Sequence, residues 1–238
     1  MSTEEQLQLK KAKQGFALLY KVSRAVVSSS YLEEILTLVV GLTAEVTSSK
    51  ICSLMLLNED KQELVIKATQ SLSEAYRSKR PIKVGESVSG RAVQMKRPVT
   101  VRDVKREPGY KYPEIARKEG LASLVAVPMM VKNRVIGVLN CYTTEKREFT
   151  EEEIQLLVGV ANQAALAIEN TRLLAERVAD REALEIRKKV ERAKGILMKR
   201  HRVGEAEAYR MLQKQSMDKR RSLKEIADAI IVSEEIAS

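Results

Sequence analysis

The sequence predicts an α+β fold, in which an antiparallel sheet with packed helices is joined by a long coiled-coil helix to an all-α tail of three helices. Residues 51 to 142 contain short apolar runs with the two-residue period of strands, most of them separated by turn residues. From Thr150 to about Arg200 the apolar period is helical and no proline interrupts it. Strands connected by hairpins and followed by helices are typical of this fold class.

The amino-terminal region predicts two helices. Residues 4 to 29 carry apolar side chains at helical spacing. A second helix begins at Ser30, which forms a capping box with Glu33, and ends near Ser48. We therefore predict an N-terminal helix over 1–30, an α+β domain over 31–170 and a helical region over 171–238.

Six short segments predict strands, and the segment between the fourth and fifth predicts a loop. The strands are Ile51 to Leu57, Glu63 to Thr69, Ile82 to Val84, Val99 to Val101, Ser123 to Val131 and Arg134 to Cys141. A short helix is expected near Ser73 to Ser78. Residues 102 to 120 contain two prolines and two glycines and predict a long irregular connection. Loops of this length often cover a ligand pocket.

The long helix begins at a capping box formed by Thr150 and Glu153. Its length of up to fifty residues exceeds that of ordinary globular helices. The apolar seam consists of Ile154, Ala161, Ile168, Ile186, Val190, Ala193 and Leu197. Such a seam predicts a parallel coiled-coil homodimer. The alternatives are a helix that folds back on its own domain, or one that breaks near residues 175 to 184.

Two further helices complete the tail. One runs from Glu205 to about Met217, and the other starts at a capping box of Ser222 and Glu225. The predicted core residues of the tail are Ala193, Leu197, Ala208, Leu212, Ile226 and Ile230. Two short helices cannot be stable alone, so we expect them to pack on the end of the long helix.

Composition excludes several classes of protein. With 44% hydrophobic and 31% charged residues, the chain has the composition of a folded protein. It shows no membrane-spanning run and no signal peptide, which predicts a cytoplasmic location without membrane contact. His201 is the only histidine, so no histidine cluster holds zinc or haem. Cys52 and Cys141 are expected to be buried apolar residues. We therefore expect no enzyme activity, no metal and no cofactor.

The positive charge is concentrated near the carboxyl end. The formal net charge is +10, and Arg181 to Lys224 contains fifteen Lys and Arg against six Asp and Glu. A basic block confined to one segment points to a polyanionic partner. The alternative is a solvated helical face.

Five motifs in the first domain resemble those of a GAF domain, a small-molecule and redox-sensing module. They are G-E-S-V-S-G-R-A-V from Gly85, R-P-V-T-V-R-D from Arg97, S-L-V-A-V-P-M-M from Ser123, R-V-I-G-V-L-N from Arg134 and F-T-E-E-E-I-Q-L-L from Phe149. The resemblance covers about Leu32 to Asn170 and implies a sensor domain. The cyclic-nucleotide pattern of the family is not intact here. A noncovalent small ligand of unknown identity, or no ligand and only a scaffold for dimerisation, remain as alternatives.

Three motifs in the tail resemble an ANTAR domain, the RNA-binding module of bacterial antitermination regulators. They are E-R-A-K-G-I-L-M from Glu191, E-A-E-A-Y-R-M-L from Glu205 and Q-S-M-D-K-R-R-S-L-K-E-I-A from Gln215. The resemblance implies binding of two stem-loops with similar hexanucleotide loops in a nascent transcript, which prevents formation of a terminator hairpin. A dimer suits two loops.

The candidate RNA-binding residues combine cations, a close-approach glycine and one aromatic ring, as RNA loops require. They are Lys194, Gly195, Lys199, Arg200, Arg202, Tyr209, Arg210, Gln213, Lys214, Ser216, Lys219, Arg220 and Arg221. For Lys194, Gly195 and Ser216 the alternative role is helix packing, and Tyr209 is equally suited to the edge of the core.

Two other functions remain open at this stage. A basic helical hairpin resembles a helix-turn-helix, which would make the chain a DNA-binding regulator. Cys52 and Cys141 would lie next to each other if their strands paired, as a reductase of the GAF type would need. The cysteine spacing of those reductases is absent, however.

Overall fold

The structure is a computed structural model that describes residues 6, 13, 15–17, 19–24, 32–71 and 73–237. It divides into two compact units, Met1–Thr171 and Arg172–Ser238. Within the helix predicted over 4–29, every described residue is helical. The rest of that prediction, and the Ser30 cap, lie outside the described residues. None of the described helices is long and apolar enough to cross a membrane.

The first unit is built on a six-stranded antiparallel sheet. Its strands are β1 (Ile51–Asn58), β2 (Glu63–Thr69), β3 (Ile82–Lys83), β4 (Val99–Val101), β5 (Leu124–Val131) and β6 (Arg134–Tyr142). Their order in the sheet is β3-β2-β1-β6-β5-β4. The antiparallel sheet is confirmed, and β1 and β6 form its centre although more than seventy residues separate them in the chain.

Helices cover both faces of the sheet. They are α1 (Leu32–Val46), α2 (Glu74–Arg77), α3 (Ser87–Met95), α4 (Pro113–Lys118) and α5 (Glu151–His201), of which α5 continues into the second unit. The prediction of an irregular segment over 102–120 is wrong where α4 lies. Pro113 opens that helix, a position where the missing N–H of proline costs nothing.

Side chains of β1 alternate between two cores, because successive strand residues point to opposite faces. Cys52 and Leu54 belong to the core that contains buried residues of α1 and of the first part of α5. Ile51 and Met55 belong to the other core, under α2, α3 and α4. Gly137 is required in β6, since a Cβ there would lie 2.2 Å from the Met55 carbonyl oxygen.

The capping box predicted at the start of α5 is confirmed. The Thr150 N–H donates to Glu153 Oε2 at 2.9 Å, and the Glu153 N–H donates to Thr150 Oγ1 at 3.3 Å. The helix then runs without a break to His201, as the lack of proline predicts.

The apolar seam predicted on α5 is used largely inside the chain. Ala161 and Ile168 are buried in the core of the first unit, and Ala193 and Leu197 are buried in the core of the second. The prediction that these four side chains face a second copy is therefore wrong, whereas the second prediction made for Ala193 and Leu197, that they belong to the core of the tail, is confirmed. Their own units cover them, which periodicity along one helix cannot reveal.

The second unit packs two further helices, α6 (Glu205–Lys219) and α7 (Leu223–Ala237), on the end of α5. Its core contains all six predicted core residues. Ser222 and Glu225 form the predicted capping box before α7, through bonds of 2.8 and 3.3 Å.

Candidate nucleic-acid interface

The cations of the second unit fall into two groups, those with a carboxylate partner and those without. Acidic side chains of α7 pair with basic side chains of α5. These ion pairs are Lys189–Asp228 at 2.7 Å, Arg192–Glu235 at 2.8 Å and Arg200–Glu234. The last helix thus neutralises much of the positive face of α5, and of the predicted site residues Arg200 is one that it engages.

The remaining cations have no ion-pair partner among the described residues. In the part of the chain that the structure describes, no ion pair engages Lys199, Arg202, Lys214, Lys219 or Arg220, and each is exposed. Arg221 is exposed as well. The pKa of Glu225 is lowered mainly by hydrogen bonds from the backbone and side chain of Ser222, and to a smaller extent by the charge of Arg221. Unneutralised cations are the groups that attract phosphate.

One exposed strip of α6, here called the basic stripe, consists of three predicted residues and Met217. Arg210, Gln213, Lys214 and Met217 follow the i, i+3, i+4, i+7 spacing of one helix face, opposite the buried Ala208 and Leu212. Arg210 has an exposed contact of 3.2 Å with Glu207 on its own helix. Met217 is 71% exposed and was not among the candidate site residues.

The basic stripe ends at a turn that carries three consecutive cations, Lys219, Arg220 and Arg221, here called the basic turn. Arg220 closes α6 in the left-handed conformation, with a φ of 50°. The Ser216 hydroxyl donates to the Arg221 carbonyl oxygen at 2.5 Å, and the Arg221 N–H donates to the Ser216 carbonyl oxygen at 3.1 Å. These bonds hold the basic turn against the end of α6, which is the role that Ser216 plays within the chain.

Lys194 differs from the other candidate cations because it is buried, with 7% of its surface exposed. Its ammonium lies 2.6 Å from Glu205 and 2.9 Å from Glu191. A hydrogen bond with Glu205 and a weaker contribution from a hydrogen bond with Glu191 raise the pKa of Lys194 above its ordinary value. The lysine therefore joins α5 to the first turn of α6, and two carboxylates of the chain already occupy its ammonium.

Gly195 and Tyr209 flank this ion pair. A Cβ added at Gly195 would meet nothing within 4 Å, so packing inside the chain does not require glycine there. The Tyr209 ring centroid is 6.0 Å from the Lys194 ammonium, and Tyr209 is 38% exposed. The structure thus brings Lys194 and Tyr209 together, and Ser216 and Arg221. Among the described residues, Lys199 and Arg202 form no hydrogen bond or ion pair with the basic stripe.

The first unit contains a second concentration of polar chemistry, which sequence patterns did not indicate. The Lys79 ammonium lies 3.5 Å from the ring centroid of Tyr76, 5.3 Å from that of Tyr112 and 5.5 Å from that of Tyr142. Burial lowers the pKa of Lys79 to about 7, although Glu114 and Glu119 act in the opposite direction. The residues come from three separate segments, with Tyr76 and Lys79 in one of them, so no local motif could have revealed this lysine–tyrosine cluster.

Metal binding finds no support in the described residues, since no group of three or more His, Cys, Asp and Glu gathers there. The two cysteines are buried, as predicted. Their sulfur atoms lie 3.2 Å apart.

Comparison with known proteins agrees with both units. The family model of the GAF domain matches residues 29–169, and that of the ANTAR domain matches residues 179–231. The GAF domain of a phosphoenolpyruvate-protein phosphotransferase from Coxiella burnetii superposes with a TM-score of 0.64 at 26% identity, over 69% of this chain and 98% of that one.

Two curated relatives each match part of the chain. A methyl sulfide methyltransferase-associated sensor of Methanosarcina acetivorans is 30% identical over 156 residues, which are 63% of this chain and 16% of that protein. The transcriptional regulatory protein PdtaR of Mycobacterium tuberculosis is 42% identical over 50 residues, which are 21% of this chain and 24% of that protein. The chain thus spans less than a quarter of either relative.

These matches confirm the resemblance that the sequence motifs indicated. The chain belongs to the GAF domain family and carries an ANTAR domain behind its GAF domain, which is the GAF–ANTAR architecture.

Proposed function

We propose that the protein is a cytoplasmic, non-catalytic antitermination regulator that binds paired stem-loops with hexanucleotide loops in nascent RNA. The ANTAR domain makes the contact, and the GAF domain supplies the sensing step. The observation that carries the proposal is the basic stripe of α6, which leads directly into the basic turn. Apart from the exposed pair of Arg210 with Glu207, no ion pair between described residues engages the cations of this surface.

The chemistry of this surface suits single-stranded loops. Arg210, Lys214 and the basic turn provide phosphate contacts, and Gln213 provides an amide for the edge of an unpaired base. Met217 and Tyr209 offer exposed apolar surface for bases that have left their stack. A loop presents all three kinds of group together, whereas a duplex presents mainly phosphates.

DNA binding is the competing function. In a helix-turn-helix the second helix enters the major groove, and here that helix would be α7. The side chains that α7 exposes or pairs across to α5 are largely acidic, among them Asp228, Glu234 and Glu235. Carboxylates on that helix would repel the phosphates of a duplex, which favours RNA.

Dimerisation is supported by a bare segment of α5 rather than by the seam predicted from periodicity. Residues 172 to 185 are all exposed, which amounts to about four helical turns. Leu173, Leu174, Val178 and Leu184 are 41 to 61% exposed and lie within about 140° of arc on that helix. A helical segment of this length is marginal in water by itself. A second copy of the chain, in a parallel coiled coil, would cover these side chains.

A ligand for the GAF domain is supported by the lysine–tyrosine cluster. The Lys79 ammonium is surrounded by three tyrosine rings, and in the described residues no carboxylate pairs with it. A small molecule with an acidic group would form an ion pair with this ammonium. This ligand is the signal that we assign to the first unit.

The test is binding of the full chain to three probes at several salt concentrations. The probes are an RNA with two hexanucleotide stem-loops, an RNA with one of them, and a DNA duplex of the same sequence. We expect tightest binding to the paired stem-loops. If about five phosphates are neutralised, log K falls against log salt with a slope of about −3.5. Equal affinity for the DNA duplex would overturn the proposal in favour of a DNA-binding regulator.

A further inference from the structure

The two cysteines face each other across the centre of the sheet. Cys52 of β1 is the register partner of Cys141 of β6, and their sulfur atoms are 3.2 Å apart. The Cys52 N–H donates to Gln70 Oε1 at 2.9 Å, and its carbonyl oxygen accepts from Thr69 Oγ1 at 2.8 Å. Both backbone groups thus point away from β6.

This backbone geometry defines the kind of strand pair. An antiparallel ladder alternates between hydrogen-bonded pairs and non-hydrogen-bonded pairs, and Cys52 and Cys141 form one of the second kind. In such pairs the Cα atoms are about 4.5 Å apart and the side chains are closest. That separation falls within the range over which a disulfide forms without backbone movement.

The surroundings of the pair restrict its chemistry. Both thiols are fully buried in the apolar core that they share with Val39 and Val40 of α1 and with Ala161 and Ala164 of α5. Burial raises the pKa of the Cys141 thiol, so the thiol is protonated at neutral pH. A bulky substrate has no path to it, which argues against a reductase. Each sulfur has one fixed reaction partner, the other sulfur.

We infer that Cys52 and Cys141 are a modification site, at which hydrogen peroxide converts the two thiols into a reversible disulfide. One thiol sulfur attacks the O–O bond and becomes a sulfenic acid, and the hydroxide that leaves takes up the thiol proton to form water. The second sulfur then displaces hydroxide from the sulfenic acid, and its proton leaves with that hydroxide as a second water. Two thiols are oxidised, and one peroxide is reduced to two waters.

The position of the pair gives the modification a consequence. Bond formation shortens the sulfur–sulfur distance from 3.2 Å to about 2.05 Å, which moves the two cysteine side chains within the core. The side chains of α5 in the same core must repack, since protein interiors have no slack of this size. Because α5 continues to His201, the disulfide acts on the helix that carries the ANTAR core. This last step rests on the proposed function, whereas formation of the disulfide does not.

The test uses the full chain, reduced and then exposed to excess hydrogen peroxide. After alkylation under denaturing conditions, we expect a mass loss of two hydrogens, no alkylated cysteine, and a peptide that links Cys52 to Cys141. Dithiothreitol should restore both alkylation sites. The variants Cys52→Ala and Cys141→Ala, checked for folding by circular dichroism, should give no intramolecular link.

Two outcomes would overturn the inference. In one, both cysteines stay reduced until the protein unfolds. In the other, they advance to sulfinic or sulfonic acid without a link between them. Neither outcome bears on RNA binding by the reduced protein, so failure here is distinguishable from failure of the proposed function.

Discussion

The ammonium of Lys194 lies 2.6 Å from Glu205 Oε1 and joins the middle of the ANTAR core to the first turn of α6. Two carboxylates neutralise this cation, whereas the cations of the basic stripe and basic turn are largely open to solvent. Position within an RNA-binding motif therefore does not by itself make a lysine a phosphate contact.

Lys194 is predicted to act as a positioning residue. Lys194→Met should lower the melting temperature and weaken RNA binding several-fold, because α6 loses its ion pair with α5 and keeps only its apolar contacts. The salt slope of binding should stay unchanged, since a neutralised cation releases no counterion. Fluorescence anisotropy across a salt series measures both quantities. A slope that falls by about 0.7 would show instead that Lys194 contacts a phosphate.

The basic stripe and basic turn should give the opposite result. In the double variant with Lys214→Gln and Lys219→Gln, affinity for the paired stem-loops should fall and the salt slope should decrease by about 1.4, because two phosphate contacts are lost. The control is Arg192→Gln, which removes one cation from an ion pair with Glu235 in the same unit. If the control and the double variant lower the slope by the same amount per charge, the stripe and turn are not the contact surface.

Gly195 provides a test that separates stability from binding. Gly195→Ala should stabilise the protein by about 0.5 to 1 kcal/mol, since alanine favours a helix interior and nothing lies within 4 Å of the new Cβ. RNA affinity should nevertheless fall, because glycine lets the RNA approach the helix closely. Thermal unfolding and RNA binding are measured on the same sample. Unchanged affinity in a stabilised variant would remove Gly195 from the site.

The bare segment of α5 should be required for dimerisation. Leu174→Glu combined with Val178→Glu places two carboxylates on the apolar arc and should convert a dimer into a monomer in sedimentation equilibrium. Ala175→Glu combined with Ala179→Glu adds the same charges on the other side of the helix and should leave the dimer intact. Monomers with the control variant, or a monomeric parent protein, would contradict a coiled coil through this arc.

Lys79 should make stability depend on pH. Its pKa is about 7 in the folded protein and about 10.5 when unfolded, so the unfolded state binds more protons between these values and stability rises with pH across that window. Lys79→Met should therefore be more stable than the parent at pH 6, by about 1 to 3 kcal/mol. The difference should shrink toward pH 10, where the parent no longer holds a buried charge.

Urea unfolding of both proteins at several pH values measures the Lys79 effect. The attraction of the tyrosine rings, about 0.5 to 2 kcal/mol at a site like this, offsets part of the cost of burying the charge. The control is Lys61→Met, at an exposed lysine in the turn between β1 and β2. A Lys79 variant that is less stable than the parent at every pH would show that ring attraction exceeds that cost.

The sequence alone determined the elements whose signals are local. The two-residue and helical periods located the six strands, and the capping boxes at Thr150 and Ser222 located the starts of two helices. The absence of proline predicted the unbroken α5, and the motifs identified the two families. Each of these features depends on residues within a few positions of one another, where propensity and hydrogen bonding act directly.

Only the tertiary structure decided which of these residues are available to a partner. Pairing of β1 with β6 brings Cys52 to Cys141, and two distant segments bring the Tyr112 and Tyr142 rings to Lys79. Glu234 of α7 forms an ion pair with Arg200, and two cores cover four residues of the seam predicted on α5. Charge, burial and exposure are properties of contacts between elements far apart in the chain, so no local pattern contains them.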